Sequence, residues 1–177
     1  ITLNGQKMGK SLGNAMSLED FFAGNHPLLE RPYPPMTIRF FVLQAQYRST
    51  VDFSNEALQA AEKGYKRLME ATKLVNNLVA TEDAEELGVQ KIMDACYEAM
   101  NDDFNSPIVI ANLFEAVRIV NSVKDGHAKI NAQELEILKQ LFQSFVFDIL
   151  GLLDSEAGGD DGLVDGLMET IIDIRKE

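Results

Sequence analysis

The chain has 177 residues, a net charge of −12 and a single cysteine, Cys96. One cysteine excludes an intramolecular disulfide and a cysteine-rich zinc site, and it is typical of a reducing compartment such as the cytoplasm. Residues 1–50 hold five Lys/Arg against three Asp/Glu, whereas residues 51–177 hold eleven against twenty-five. Because this acidic body repels phosphates, general nucleic-acid binding is disfavoured, and any RNA contact is expected at local basic positions.

The apolar runs and the first residue of the sequence indicate whether the chain spans a membrane, is secreted or is a fragment. The apolar run over Phe145–Leu153 is broken by Asp148 and Gly151, and it is much shorter than the ~20 residues of a membrane span. No basic segment followed by an apolar stretch opens the chain, so neither a secretory signal nor a membrane partner is predicted. The first residue is Ile1 rather than methionine, and we therefore expect a fragment of a longer protein.

The first fifty residues combine turn signals with two helical segments. Asn4-Gly5 favours a tight turn, so residues 1–3 are predicted to end a strand, as half of a short hairpin. Ser17 followed by Asp20 resembles a capping box and predicts a short helix through residues 21–22. Four prolines indicate a loop over residues 25–35. Residues 36–47 are apolar on most sides and predict a buried helix.

From Ser54 onward the pattern predicts only helices, with no strand after residue 14. Apolar residues recur at three- and four-residue spacing in a seam over residues 58–79 and in further stripes over 89–100 and 110–120. Ser106 is predicted to cap a helix with Pro107 at its first position, and Asn131 to begin another that Gly151 ends. An acidic loop over 158–162 and a last stripe over 163–174 follow. The sequence therefore predicts a mainly α fold, an antiparallel helix bundle after a short loop and hairpin segment.

A glycine-bearing loop carries two lysines three residues apart, within the octapeptide Lys7-Met8-Gly9-Lys10-Ser11-Leu12-Gly13-Asn14. Two ammonium groups so placed could bind a polyphosphate, although a Lys-x-x-Lys pair alone is more often a solvated basic loop. The octapeptide resembles the Lys-Met-Ser-Lys-Ser signature loop of class I aminoacyl-tRNA synthetases. It departs from that signature at Gly9, where the family has serine, so no phosphate contact is expected from that position.

Two further motifs resemble cysteinyl-tRNA synthetases in particular. The first runs Tyr-Arg-Ser-Thr-Val-Asp-Phe-Ser-Asn-Glu-Ala-Leu over residues 47–58 and is similar to the family's Tyr-Arg-Ser-Pro-Leu-Asn-Phe-Ser-x-Glu-x-Leu. The second, Met-Asn-Asp-Asp-Phe-Asn-Ser-Pro over residues 100–107, is close to the family's Met-x-Asp-Asp-Phe-Asn-Thr-Pro. Three motifs in the family's order cover nearly the whole chain. The proline-rich segment over residues 25–35 is longer than is typical of the family.

The resemblance implies a part of cysteine–tRNA ligase, which activates cysteine with ATP and transfers it to tRNA. Lys10, with Lys7 assisting, would act catalytically by binding the ATP phosphates, and Ser11 would also lie at the nucleotide. Residues 1–24 would end the catalytic domain, 25–53 would form a linker and a connecting, stem-contact helix, and 54–177 would form a bundle of the class I anticodon-binding type. Zinc is expected only in the absent N-terminal catalytic domain, which would be a partner. The fragment alone is expected to be inactive and cytoplasmic.

Five basic residues are candidate tRNA contacts: Arg39, Arg48, Lys63, Lys66 and Arg67. For Arg39 and Arg48 a structural ion pair is as good an interpretation, and for the three on the predicted helix a solvated face is the simpler one.

Other polar and reactive residues favour structural roles. Asp102 and Asp103 precede a helix start and are expected to satisfy backbone N–H groups there rather than to bind metal. Cys96 lies on an apolar helix face and is predicted to be a core residue. His26 and His127 are expected on surface loops.

Two alternative functions are open at this point. The chain could be a non-catalytic helical module that binds RNA or protein, although its acidic body weighs against strong RNA affinity. It could also derive from a related ligase that joins cysteine to a small amine, since that enzyme would need the same signature loop.

Overall fold

The computed structural model describes residues 1–84 and 86–154. The predicted acidic loop over 158–162 and the last stripe over 163–174 lie outside these residues. The chain begins with β1 (Thr2–Leu3) and β2 (Gln6–Lys7), which pair antiparallel through Asn4 and Gly5, both at positive φ. The predicted hairpin is therefore confirmed.

A third strand, β3 (Asp52–Phe53), pairs parallel with β1 and gives the strand order β2-β1-β3. The prediction that no strand follows residue 14 was wrong. A strand of two residues is too short to show the alternation of side chains on which such predictions depend.

Helix α1 (Leu18–Ala23) begins with the predicted capping box. The Ser17 hydroxyl accepts from the Asp20 N–H, and the Asp20 carboxylate accepts from the Ser17 N–H at 2.8 Å. The Ser17 hydroxyl also donates to the Asp20 carboxylate at 2.8 Å. The bonds that the carboxylate accepts from the Ser17 N–H and hydroxyl hold the pKa of Asp20 below its usual value.

Helix α2 (Pro35–Leu43) is shorter than predicted and only half buried. It starts at Pro35, because the fixed φ of proline suits the first turn of a helix. It ends before Tyr47, which is exposed, and Val42 also faces solvent while Ile38 and Phe40 are buried. The prediction of a buried helix was therefore only partly correct, since some apolar residues of the predicted segment lie on the surface.

The rest of the described chain is a bundle of four helices: α3 (Asn55–Leu74), α4 (Val89–Asn101), α5 (Ser106–Lys124) and α6 (Ala132–Leu141). Helix α3 is capped by the Ser54 side chain as predicted, but it passes into a 3₁₀ turn at Val75–Asn77 and leaves Val79 exposed. After α6 the chain widens into a π-helical segment, Phe142–Ile149. The mainly helical fold class is confirmed.

The start of α5 differs from the prediction. Asn105 rather than Ser106 precedes the first turn, and Pro107 is the second helical residue. The Ser106 hydroxyl donates to the Leu43 carbonyl at 2.8 Å, so it joins α5 to the end of α2 instead of capping its own helix.

Within the described residues, one helix, α5, is long and apolar enough to cross a membrane by length and composition alone. This segment was not predicted as a candidate from the sequence, where the run that ends at Leu153 stood out instead. One face of α5 is buried in the bundle core, whereas Glu115 and Arg118 form an ion pair on the exposed face. An apolar stripe opposite a charged face is typical of a helix packed in a bundle.

Two groups of buried side chains hold the chain together. The large cluster fills the bundle and includes Phe40 from α2 and Cys96 from α4. The small cluster joins the sheet, α1, α2 and the start of α3, and its buried members are Leu3, Phe21, Tyr33, Ile38, Phe53 and Leu58. Phe41 packs against both clusters. Cys96 is fully buried, which raises the pKa of its thiol to about 12 and confirms it as a core residue.

Candidate functional site

The signature loop follows directly on β2. Lys7 is the last strand residue, Gly9 is extended with φ −167, and Lys10–Leu12 form one 3₁₀ turn that ends at Gly13 with φ +67. The N–H groups of Leu12 and Gly13 donate to the carbonyls of Gly9 and Lys10. The loop is therefore an ordered turn that presents the Lys10 side chain at its tip.

Gly9 does not require the special freedom of glycine. Its φ is one that any residue adopts, and a Cβ built there would meet Leu12 and Ser11 only at ordinary contact distances of 3.8–4.0 Å. The departure from serine at this position thus removes a hydroxyl without changing the path of the chain.

The two lysines of the loop are available to a ligand. Both side chains are exposed, and neither ammonium group has an ion-pair partner within the part of the chain that is described. Ser11 is exposed beside them. Two unpaired ammonium groups on one short loop suit a polyphosphate, because a phosphate chain needs several cations and strong donors.

The hairpin that carries the loop is tied to the segment before α3. Asp52 in β3 accepts from the Thr2 hydroxyl at 2.6 Å and from the Gly5 N–H at 2.9 Å. These bonds lower the pKa of the Asp52 carboxyl. Asp52 and β3 therefore brace the hairpin that carries Lys7 through its first strand and its turn, a long-range contact that no local pattern in the sequence indicates.

The second and third family-like motifs meet at one junction. Tyr47 donates its phenolic proton to Asp103 at 2.8 Å, Arg48 donates to the Tyr47 oxygen, and Arg48 also pairs with Asp103 at 3.2 Å. The bond to Asp103 raises the pKa of Tyr47. Asp103 thus binds the linker rather than backbone N–H groups of α5, which corrects the capping role expected for it.

The five candidate tRNA contacts are not brought together. Arg39 donates from Nε to the Leu150 carbonyl at 2.9 Å, and Arg48 is held by Asp103, so both make intramolecular contacts. Lys66 pairs with Glu62 at 3.0 Å, and Arg67 lies over the Phe114 ring at 5.7 Å. Lys63, Lys66 and Arg67 are exposed on α3, as predicted.

The described residues contain no group of three His, Cys, Asp or Glu side chains that could hold a metal ion. His26 and His127 both lie in loops, and the imidazole of His26 accepts from the Leu28 N–H at 3.3 Å.

Two family models match separate segments of the chain. Residues 1–63 match the tRNA synthetases class I (C) catalytic domain, and residues 95–154 match the DALR domain. A curated cysteine–tRNA ligase of Bacteroides thetaiotaomicron is 56% identical over 163 residues, which is 92% of this chain and 33% of that protein. The chain belongs to the cysteine–tRNA ligase family.

More distant family members also align with the whole chain. The cysteine–tRNA ligase of Parabacteroides distasonis is 53% identical over 183 residues, and that of Chlorobaculum tepidum is 34% identical over 186 residues. Each alignment covers 100% of this chain and 36% of the relative. The chain thus spans about a third of the length of the family members it matches.

Proposed function

We propose that this chain is the part of a cysteine–tRNA ligase that supplies the ATP-phosphate loop and a helical surface for tRNA. The observation that carries the proposal is a pair of exposed lysines on an ordered loop within the segment that matches the catalytic domain, with no ion-pair partner among the described residues. In the parent reaction the cysteine carboxylate takes the adenylyl group of ATP and pyrophosphate leaves. The cysteinyl group is then transferred from this adenylate to tRNA, and AMP is released.

Within this reaction the loop residues have distinct roles. The Lys10 ammonium stabilises negative charge on the phosphates as the leaving group forms, and Lys7 adds a second positive charge from the end of β2. The Ser11 hydroxyl is a further donor beside them. Gly9 contributes no side chain, so the charge stabilisation comes from its neighbours.

The rest of the activation pocket belongs to the two-thirds of the ligase that this chain does not span. Exposed apolar side chains at Leu12, Leu18, Phe22 and Val42 lie on the loop, α1 and α2, in the segment that matches the catalytic domain. We propose that they face the remainder of the catalytic domain, which also holds the zinc. By itself the chain does not activate cysteine. We propose that residues 1–24 end the catalytic domain, that 25–53 form the linker and connecting helix, and that 54–177 form the helical bundle. The proposed location of the protein is the cytoplasm.

For tRNA docking, the favoured surface is the outer face of α3. Lys63 and Arg67 are exposed there and have no ion pair within the described residues, whereas Lys66 is partly neutralised by Glu62. Arg39 and Arg48 are weaker candidates because they already bind Leu150 and Asp103. The acidic remainder of the chain keeps RNA contact local to this face.

The test is a chimeric ligase in which this chain replaces the matching third of the Bacteroides thetaiotaomicron protein. We expect cysteine-dependent ATP–pyrophosphate exchange by the chimera, no exchange by the chain alone, and a loss of about 10²-fold or more for Lys10→Ala in the chimera. Lys129→Ala is the matched control, since this exposed lysine lies far along the chain beyond α5. An inactive chimera, or one indifferent to Lys10→Ala, would contradict the proposal.

A further inference from the structure

The side chain of Asn14 closes the signature loop. Its Oδ1 accepts from the Gly9 N–H at 2.9 Å, and its Nδ2 donates to the Lys7 carbonyl at 3.1 Å. One amide therefore bridges the residue that ends β2 and the residue that directly precedes the 3₁₀ turn. Gly13, at φ +67, reverses the chain so that Asn14 returns to the start of the loop.

These two bonds supply contacts that the loop otherwise lacks. On the strand side, Met8 donates to the Ile1 carbonyl at 3.3 Å and its side chain packs against the small cluster. Inside the turn, the backbone bonds involve only Gly9, Lys10, Leu12 and Gly13. Asn14 is thus the link that joins the turn carrying Lys10 to the strand carrying Lys7.

We infer that Asn14 is a positioning residue that fixes Lys10 relative to Lys7 for the ATP phosphates. Asn14 touches no phosphate itself in this proposal; it acts through the two lysines, and the inference therefore rests on the proposed function. Without the amide bridge, the 3₁₀ turn can move on the strand, and small displacements of a charged group sharply reduce its effect on a transition state.

The first experiment measures the geometry without any catalysis. In the 177-residue chain, Asn14→Ala should speed hydrogen exchange of the Gly9 amide by about tenfold or more, because that N–H loses its acceptor. Asn25→Ala is the control, since Asn25 is exposed in the loop after α1 and makes no side-chain hydrogen bond within the described residues. Unchanged exchange at Gly9 would overturn the inference.

The second experiment uses the chimeric ligase and separates positioning from general stability. Asn14→Ala should lower kcat for ATP–pyrophosphate exchange by about 10- to 100-fold, with the KM for cysteine within about twofold of the unsubstituted chimera. In a Lys10→Ala background the same substitution should cost less than about threefold, because its effect passes through Lys10. Asn25→Ala should change neither constant.

The outcomes distinguish the two proposals. If Lys10→Ala lowers exchange but Asn14→Ala behaves like Asn25→Ala, the proposed function stands and the positioning role is wrong. An equal loss from Asn14→Ala with and without Lys10 also overturns the positioning role, because the two residues would then act independently. Exchange that is indifferent to Lys10→Ala overturns both.

Discussion

Glu62 is a charged residue that the fold buries and pairs. Its side chain is only 10% exposed, accepts from Arg31 in the proline-rich segment, and pairs with Lys66 one turn along α3. The Arg31 bond is the main cause of the lowered pKa of Glu62, with Lys66 contributing and burial opposing. Glu62 lies four residues after Leu58 and three before Tyr65, at the edge of the apolar face of α3. No local pattern in the sequence indicates that the proline-rich segment covers it.

We expect Glu62→Gln to destabilise the chain by about 1–2 kcal/mol at pH 7, because Arg31 loses a charged acceptor. Since the folded pKa of Glu62 lies below the ordinary value of 4.5, the ionised carboxylate stabilises the fold fully above that value. The stabilisation is lost as the pH falls through the folded pKa. Urea unfolding should be measured at several pH values for the unsubstituted chain and for Glu62→Gln. The difference between their free energies of unfolding should shrink below pH 4.5.

Glu70→Gln provides the comparison for Glu62, since Glu70 is an exposed carboxylate on the same helix. It should change the free energy of unfolding by less than about 0.5 kcal/mol at any of these pH values. A Glu62→Gln effect that is equally small at pH 7 would mean that the Arg31 contact contributes nothing net.

At the scale of secondary-structure elements, local sequence signals predicted where helices start better than where they end. Ser17, Ser54 and Asn131 cap helices as expected, because an N-cap depends on residues within one turn. Glu134 has the spacing of a capping box with Asn131, yet its buried carboxylate accepts from the N–H groups of Leu87 and Val89 at the start of α4. Such a partner, 45 residues away, is set by bundle packing and not by local sequence.

The same distinction applies to the candidate site. The loop and its two lysines could be predicted from the sequence, because the motif is contiguous and the hairpin turn is local. The bracing of that hairpin by Asp52 and the pairing of Arg48 with Asp103 could not, since both join residues about fifty positions apart. Their geometry depends on how the small cluster packs.

The end of the π-helical segment is fixed by Arg39 and Gly151. Gly151 has φ +60, and a Cβ there would lie 2.7 Å from an Arg39 guanidinium nitrogen. We therefore expect Gly151→Ala to destabilise the chain by about 2–3 kcal/mol. Part of this, about 1–2 kcal/mol, is the cost of a left-handed conformation for alanine, and the rest is displacement of Arg39 from the Leu150 carbonyl.

Gly126→Ala isolates the conformational cost, because Gly126 has φ +74 and no atom within 4 Å of a built Cβ. Thermal or urea unfolding should show a loss of about 1–2 kcal/mol for Gly126→Ala, less than for Gly151→Ala. Equal losses would show that the Arg39 contact adds nothing to the stability of this helix end.

At the scale of the molecule, the part of the chain that the structure describes contains two buried side-chain clusters that meet at α2. Ile38 belongs to the small cluster, Phe40 to the large one, and Phe41 packs against both, with its ring centroid 4.8 Å from that of Phe53. The signature loop depends on the small cluster, since Met8 packs there. The stability of the signature loop therefore depends on the small cluster, and on the bundle to the extent that the bundle stabilises this cluster through α2.

We expect Phe41→Ala to weaken this connection and to lower the stability of the small cluster more than that of the bundle. Removing a partly buried phenylalanine should cost about 2–3 kcal/mol. Native-state hydrogen exchange measures where that cost falls. The Tyr33 amide, which donates to the Phe21 carbonyl at 2.9 Å, reports on the small cluster, and the amides of α5 report on the bundle. Phe22→Ala is the control, because Phe22 is 39% exposed.

In Phe41→Ala the Tyr33 amide should exchange much faster than in the unsubstituted chain, with a smaller change in α5, and Phe22→Ala should affect neither strongly. That result would mean that the bundle stabilises the loop through one shared residue of α2. Equal acceleration at Tyr33 and in α5 would show instead that the chain opens as one unit. The junction of Tyr47 and Arg48 with Asp103 and the bond from Ser106 to Leu43 would then hold the two clusters together without Phe41, since both tie the linker to the bundle.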